Sequence, residues 1–337
     1  MTQEEARIRA PDLVGGYWVN SEPLHIADLR GKAVLIDFWD YTCVNCIRTL
    51  PYVIEWHSRY SGLGLVVAGV HAPEFSFAKE LGGVKQAIES FGIEYPVVMD
   101  NGYSIWQAYA NRYWPAKYLV DKDGYIRYYH FGEGGYAETE QAIQILLREI
   151  DPGIALPDLM PPVRGSDAPG AVCYRVTPEL YLGYQRGRPG NPAGLVPKQS
   201  VAYRDPGMHA EGYFYLDGEW RADDEHVMKP AGSQGDSRLS IRYTAKEVNL
   251  VMNPLLGRAC RLRLLLDGAP LPADYAGEHV RFEEGAAFVE VDGPRMYRLV
   301  DGPDIGSHDL TLVTSDGGLA MYAFTFVSCV VPEEAAR

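Results

Sequence analysis

The chain has 337 residues, with 31 Lys and Arg against 45 Asp and Glu for a formal net charge of −14, and is 47% hydrophobic and 12% aromatic. That balance describes a globular chain long enough for two ordinary domains and excludes a disordered one. The acidic charge makes nucleic acid and anionic membrane surfaces poor partners, and no apolar run approaches the ~20 residues that cross a bilayer, so no transmembrane segment is expected.

Met1-Thr2-Gln3-Glu4-Glu5-Ala6-Arg7 is polar and lacks the apolar core of a signal peptide, which predicts either a cytoplasmic chain or an excised piece of an exported one. Ala33-Val34-Leu35-Ile36-Asp37-Phe38-Trp39 reads as a buried strand that delivers Cys43-Val44-Asn45-Cys46 to the start of a helix. The helix is predicted from Val44 to Tyr60, ending at Ser61-Gly62. Two sulfurs separated by two residues at a helix N-terminus can close a small disulfide ring without moving the backbone. The orphan N–H groups and the helix dipole there favour a thiolate on Cys43, the more exposed of the two. Cys43 is then a nucleophile and Cys46 its resolving thiol, and the pairing points to thiol–disulfide exchange. The redox carrier would be the Cys43–Cys46 disulfide itself, with no further cofactor.

Asp37 interrupts an apolar strand six residues before Cys43, which places it beneath the sulfur pair. A buried carboxylic acid titrates high and can exchange a proton with Cys46 as a mixed disulfide resolves. The structural alternative is a strand carboxylate bonded to backbone or water. A zinc site needs two more soft ligands at workable spacing, and the sequence has no second CxxC or CxxH, so no metal is expected.

Leu63 to Val70 is a continuous apolar run, as a central parallel strand should be. His71 and Glu74 follow its end, where α/β sheets place their sites; His71 serves either as a proton donor or as a capped loop residue. Helical spacing runs from Phe75 to Phe91, and Gly92 stops it. A short strand at Tyr95 to Asp100 and a short helix at Ile105 to Tyr109 come next. Pro115, after Trp114, opens a strand 72 residues beyond Cys43. A cis bond there would present the Trp114 backbone to a substrate peptide, whereas a trans bond is the ordinary case. Ala116 to Val120 and Tyr125 to His130 flank Asp123-Gly124 as a hairpin, and a helix from Glu138 to Ile150 closes the unit. Trp39, Tyr41 and Trp114 are placed as walls of the site, with burial in the core as their other role.

Asp151 to Gly170, rich in Pro, Gly and Asp, reads as a linker between a first domain at 1–150 and a second at 171–337. In the second domain short alternating runs replace helical periodicity: 239–243, 247–252, 261–266, 287–291, 297–300, 308–312 and 321–331. They predict an all-β antiparallel sandwich of jelly-roll type. Cys173, Cys260 and Cys329 are read as buried free thiols, with a structural disulfide as the alternative and Cys260 on the inward face of its strand, which leans cytoplasmic. Tyr181, Tyr184, Trp220 and Tyr243 are either core or a platform for sugar rings, and Gln185 to Pro206 is a long loop.

Asp37-Phe38-Trp39, Cys43-x-x-Cys46, Pro51 and Pro115 resemble the thioredoxin fold, and the extra strand–helix unit between Val70 and Tyr95 resembles its TlpA/ResA branch. More narrowly, Phe38-Trp39-x-Tyr41-Thr42-Cys43-Val44-Asn45-Cys46-x-Arg48-Thr49-Leu50-Pro51-Tyr52, His71-x-Pro73-Glu74-Phe75 and Tyr113-Trp114-Pro115-Ala116-x-Tyr118-Leu119 resemble the soluble C-terminal part of DipZ-type proteins. So do Thr177-Pro178-Glu179-x-Tyr181-Leu182-Gly183-Tyr184, Gly218-x-Trp220 and Tyr322-x-Phe324-Thr325-Phe326 in the second half. The resemblance covers nearly the whole chain and implies an α/β thioredoxin fold with an inserted βα unit, followed by a carbohydrate-binding-module-like domain. It also implies Cys43 as attacking thiolate, Cys46 as resolving thiol, Pro115 as a cis-proline, and an extracytoplasmic setting. Protein thiols and disulfides would be the substrates, with a redox partner protein and carbohydrate as a further ligand of the second domain.

The sequence departs from the family in two places. DipZ-type proteins generally carry a membrane electron-transfer module ahead of this part, and this sequence contains none. TlpA/ResA proteins often have a helix Glu three positions after the second Cys, where Thr49 stands here, so proton handling would fall on Asp37 or Glu74. A glycan- or protein-binding role with the redox unit as accessory is the alternative of a different class. A thiol peroxidase is disfavoured because Thr42 directly precedes Cys43 instead of standing three residues before it.

Overall fold

A computed structural model describes residues 8–330 and divides the chain into two compact units between Asp167 and Ala168. The polar start Met1 to Arg7, on which the compartment expectation partly rested, lies outside the described residues.

In the first unit, β1 (Trp18–Val19), β2 (Ala33–Trp39), β3 (Leu65–His71), β4 (Val97–Met99), β5 (Ala116–Val120) and β6 (Ile126–Phe131) form one sheet in the order β1-β4-β3-β2-β5-β6. β2, β3 and β4 run parallel, while β5, β6 and β1 pair antiparallel at the flanks. Helices α1 (Val44–Tyr60), α2 (Leu81–Phe91), α3 (Ser104–Ala108) and α4 (Tyr136–Ile150) complete a thioredoxin-like fold, and α2 occupies the span between Val70 and Tyr95 where the extra strand–helix unit is expected. Every residue of β2 is buried because the sheet is covered on both sides. Successive side chains of a strand point to opposite faces. Ala33, Leu35 and Trp39 join one core with Cys46, Trp56 and Leu147, and Val34, Ile36 and Phe38 join the other with Ile105 and Tyr109.

The helix expected over 75–91 is divided. A 3₁₀ turn at Ser76–Lys79 precedes α2, and Glu80 between them is extended, with φ −75° and ψ 122°. Residues 151–167, the greater part of the expected linker, are bonded onto the first unit. Asp158 O accepts from Arg59 at 2.6 Å, Pro157 O from Gln144 at 2.8 Å, and Met160 N–H donates to Glu140 at 2.8 Å. Glu140 is buried on α4 and needs donors; Arg59, the Tyr60 hydroxyl and the Met160 amide supply them.

In the second unit the strands pair antiparallel in one large sheet network and one separate two-stranded sheet. The longest members of the network, Ser237–Pro254 and Arg295–Thr314, run beside each other, with register breaks near Ala245 and Val248. Four of the runs expected as separate strands are thus halves of two long bent ones, because a bulge interrupts alternation without ending the strand. The unit is β-rich, as expected. Trp220 and Tyr243 are wholly buried in its core, so they cannot serve as a sugar platform. Asn191 pins the loop that begins at Gln185 by bonding both backbone groups of Leu216 at 2.8 Å.

The expectation of three free thiols holds only for Cys260, which is buried. Cys173 and Cys329 face each other across the two-residue strands Val172–Cys173 and Cys329–Val330 and are joined as a disulfide. The reading failed because 156 residues separate the pair, and no local pattern reveals that distant strands are neighbours.

Candidate active site

The site grows from the alternation of β2. Asp37 falls on the same face as Leu35 and Trp39, the side covered by α1 with Cys46 in its first turn. Its register partner on one side is Gly69 of β3, where an added Cβ would come within 3.1 Å of Trp39 Nε1 and of the Tyr95 ring. Glycine here admits two large aromatics close to the buried carboxyl. On the other side, the register partner of Asp37 is Lys117 of β5, also sealed from solvent. Neither Asp37 Oδ1 nor Lys117 Nζ has a hydrogen-bond partner among the described residues, and Lys117 Nζ lies 5.4 Å from the centre of the Tyr136 ring. Burial drives both toward their neutral forms: the Asp37 carboxyl is raised to about 7 against the opposing pull of Lys117, and the Lys117 ammonium is lowered.

Beyond β2 the chain turns through Asp40, Tyr41 and Thr42 into Cys43, the N-cap of α1. Cys43 is half-buried; Cys46, one turn further, is sealed. The Cys46 amide donates to Cys43 Sγ at 3.2 Å, so an orphan N–H of the helix start is aimed at the outer sulfur, as anticipated. The expected thiolate is nevertheless corrected. Burial pushes the Cys43 thiol above its ordinary value and outweighs the bonds from Cys46, while the Glu74 and Asp40 carboxylates push the same way. Burial, then the neighbouring Cys43, raises the Cys46 thiol further still, and the Asp37 charge adds to it.

Pro115 follows a cis peptide bond from Trp114, and its carbonyl accepts from the Gly132 amide at 2.8 Å. Ala116, next in the chain, pairs with Phe38, which puts Pro115 at the Trp39 end of β2. Trp114 is partly buried against the core that includes Cys43, and its indole N–H donates to Ala72 O at 2.9 Å. Trp114 and Glu74 keep partial exposure. Trp39, Tyr41 and His71 do not line a surface: they are buried together, with His71 stacked on Tyr41 at 5.5 Å and edge-on to Trp39 at 5.3 Å. Their place as substrate contacts is corrected to support beneath the site. Burial lowers His71 to about 3, so it is a neutral ring and no proton donor at neutral pH.

Two residues escaped sequence reasoning. Lys117 had a signal, a single cation in an apolar strand, but its register with Asp37 is a tertiary fact. Asp40 had the weaker signal of an acid beside Asp37-Phe38-Trp39. It is completely buried and gathers the Thr42 amide at 2.8 Å, the Thr42 hydroxyl at 3.0 Å and the Glu74 amide.

The chain is similar to several known proteins. Residues 8–143 match a family model described as redoxin, and residues 177–326 match one described as a thioredoxin-like C-terminal domain. Protein DipZ of Mycobacterium tuberculosis is 35% identical over 322 residues, 94% of this chain, which spans 42% of the length of that relative. The thiol-disulfide oxidoreductase YkuV of Bacillus subtilis is 30% identical over 142 residues, covering 42% of this chain and 95% of its own length. A solved thiol-disulfide isomerase from Corynebacterium glutamicum is 29% identical over 41% of this chain and 96% of its own, with a TM-score of 0.38.

Proposed function

This chain belongs to the thioredoxin-like thiol–disulfide oxidoreductases, in their DipZ-type branch, and on that premise we propose that Cys43 and Cys46 are a reversible redox couple acting on protein disulfides and dithiols. The observation that carries the reading is the pair itself: a half-exposed sulfur at the helix N-cap, held by the amide of a sealed cysteine one turn inward.

In the reducing direction Cys43 loses its proton and attacks one sulfur of a substrate disulfide. A Cys43–substrate bond forms, the substrate S–S bond breaks, and the departing sulfur leaves as a thiolate that takes up a proton. Cys46 then gives its proton to the Asp37 carboxylate and attacks Cys43. The Cys43–Cys46 disulfide forms, the Cys43–substrate bond breaks, and the second substrate sulfur leaves as a thiolate that takes a proton from solvent, so the substrate departs as a dithiol, two electrons richer. A partner dithiol restores the couple by the reverse exchange, so the carrier is the cysteine pair itself. Trp114 and Glu74, both partly exposed, are the substrate-facing groups of this reading, with the buried Pro115 setting the turn behind Trp114 through its cis bond.

The other readings receive less support. The Thr42 hydroxyl is spent on Asp40, which weighs against a peroxidatic role. For the second unit we retain a jelly-roll, carbohydrate-binding-module-like architecture as our reading; the burial of Trp220 and Tyr243 removes two of the rings a glycan platform would use. The Cys173–Cys329 disulfide favours an oxidising, extracytoplasmic compartment over the cytoplasmic one.

The test is substrate trapping. Cys46→Ser accumulates mixed disulfides through Cys43 with disulfide-bearing proteins such as insulin, released by dithiothreitol, whereas Cys43→Ser forms none and loses insulin reduction. Insulin reduction at the wild-type rate by Cys43→Ser would remove the proposal.

A further inference from the structure

We propose that Asp40 is a positioning residue for Cys43: its carboxylate ties the turn before the nucleophile to the inserted βα unit, and its negative charge disfavours the thiolate that Cys43 must become. The inference rests on Cys43 as the attacking sulfur and adds what sets that sulfur's reactivity.

Asp40 stands three residues before Cys43, with no exposed surface. One oxygen takes both the amide and the hydroxyl of Thr42, at 2.8 and 3.0 Å; the other takes the Glu74 amide from the segment after β3. The Asp40 carbonyl accepts the Cys43 amide at 3.2 Å, so the same residue holds the nucleophile through its backbone. A buried carboxylate offered three donors is a strong clamp, since each charge-assisted bond repays part of its desolvation. The clamp also brings Glu74 to the site, so two acids raise the cost of ionising Cys43. Other charged or titratable groups nearby are Tyr41, next to it in the chain and stacked on His71, Cys46 on α1, Asp37 on β2 and Lys117 on β5 beneath Cys46, and the neutral His71 ring of β3, whose Nε2 lies 3.8 Å from Asp40 Oδ1. No cation in this set touches Asp40 to cancel its charge.

Burial places Asp40 itself at about 6, held down only in part by its three bonds, so it is mostly ionised at pH 7. Removing its charge should therefore ease Cys43 ionisation. Thiolate nucleophilicity falls as basicity falls, with a Brønsted slope of about 0.4–0.5, so each tenfold gain in thiolate raises alkylation by about threefold.

The experiment follows iodoacetamide alkylation of Cys43 against pH in the reduced, folded full chain, in a Cys46→Ser background so that one sulfur is read. Asp40→Asn is expected to move the alkylation midpoint to lower pH and to speed alkylation at pH 7, by up to about threefold. Asp40→Ser, a second uncharged variant, is expected to do the same and serves if Asp40→Asn does not fold. Thr42→Val removes one anchor bond but leaves the charge, and is expected to keep the wild-type midpoint. An unchanged midpoint in the uncharged variants overturns the proposal. So does an equal fall in Thr42→Val, which would assign the effect to turn geometry. Alkylation reads the thiol with no substrate present, so a failure to reduce proteins would count against the redox reading and leave this result standing.

Discussion

Asp37 of β2 and Lys117 of β5 stand opposite each other in antiparallel register, both sealed in the core beneath the sulfur pair, with no hydrogen bond to Asp37 Oδ1 or from Lys117 Nζ among the described residues. A buried acid and base whose Oδ1 and Nζ lack a bonding partner among the described residues are costly to keep charged, and each is pushed toward neutrality. Asp37 can therefore hold or release a proton close to neutral pH, within electrostatic reach of Cys46, the thiol that loses one in the proposed exchange.

The first prediction concerns that proton. Below about pH 7 the Asp37 carboxyl is protonated and cannot accept from Cys46; above it the carboxylate can. Resolution of the mixed disulfide should rise through about pH 7 and then level. Asp37→Asn should abolish that rise and slow resolution at pH 8 by about 10²-fold, the lower range for general acid–base catalysis. Stopped-flow tryptophan fluorescence on a preformed Cys43 mixed disulfide reads the step directly. A variant that keeps the rise through pH 7 would contradict the role.

A second prediction follows from His71. Its folded value is lowered to about 3, whereas in an unfolded chain it titrates near its ordinary value of about 6.5. Between those limits the unfolded state binds the extra proton. The His71 contribution to stability is thus complete above about pH 6.5 and is lost as pH falls, by at most about 1.4 kcal/mol per pH unit. Asp37 and Asp40, both raised, act in the opposite sense, losing stability as pH climbs from about 4 through their folded values. Neither ring nitrogen of His71 has a hydrogen-bond partner among the described residues, so His71→Phe should be tolerated between Trp39 and Tyr41 at pH 7 and outlast the wild type at pH 5. Urea unfolding at the two pH values checks it; parallel losses in both proteins would count against it.

These residues show where sequence reading succeeds and where it stops. The place of Asp37 in an apolar strand six residues before Cys43 put it under the cysteines, and the Asp123-Gly124 turn located the β5–β6 hairpin, because both signals are local. The partnership of Asp37 with Lys117, the Asp40 clamp on Glu74 and the Cys173–Cys329 bridge all join segments that only the folded topology brings together. Trp39 and Tyr41 suit both a site wall and a core, and His71 both a proton donor and a loop residue; only packing on both faces of the sheet decides for burial. The thiolate on Cys43 followed from the helix N-terminus alone; burial and two neighbouring acids, none of them visible as distances in a sequence, reverse it.

The third prediction concerns the bridge in the second unit. Cys173 and Cys329 close a loop of 156 residues, nearly the whole described unit. Reduction, or Cys173→Ser with Cys329→Ser, should destabilise that unit by about 2–4 kcal/mol, mostly through the freedom returned to the unfolded chain. Calorimetry of the full chain with and without reductant should show one transition moving down. An unshifted transition would mean the bridge adds nothing to stability.

The central claim, that Cys43 and Cys46 exchange one bond for two thiols, is tested most directly by redox titration. The full chain is equilibrated in dithiothreitol buffers of graded potential, quenched with acid, alkylated and read by peptide mass spectrometry. The account predicts a single two-electron transition in which Cys43 and Cys46 lose their alkylation sites together as a linked peptide appears. Its midpoint would place the couple between a reductant near about −270 mV and an oxidant near about −120 mV. If Cys43 and Cys46 remain separately alkylated at every potential, with no linked peptide under oxidising conditions, the account is contradicted.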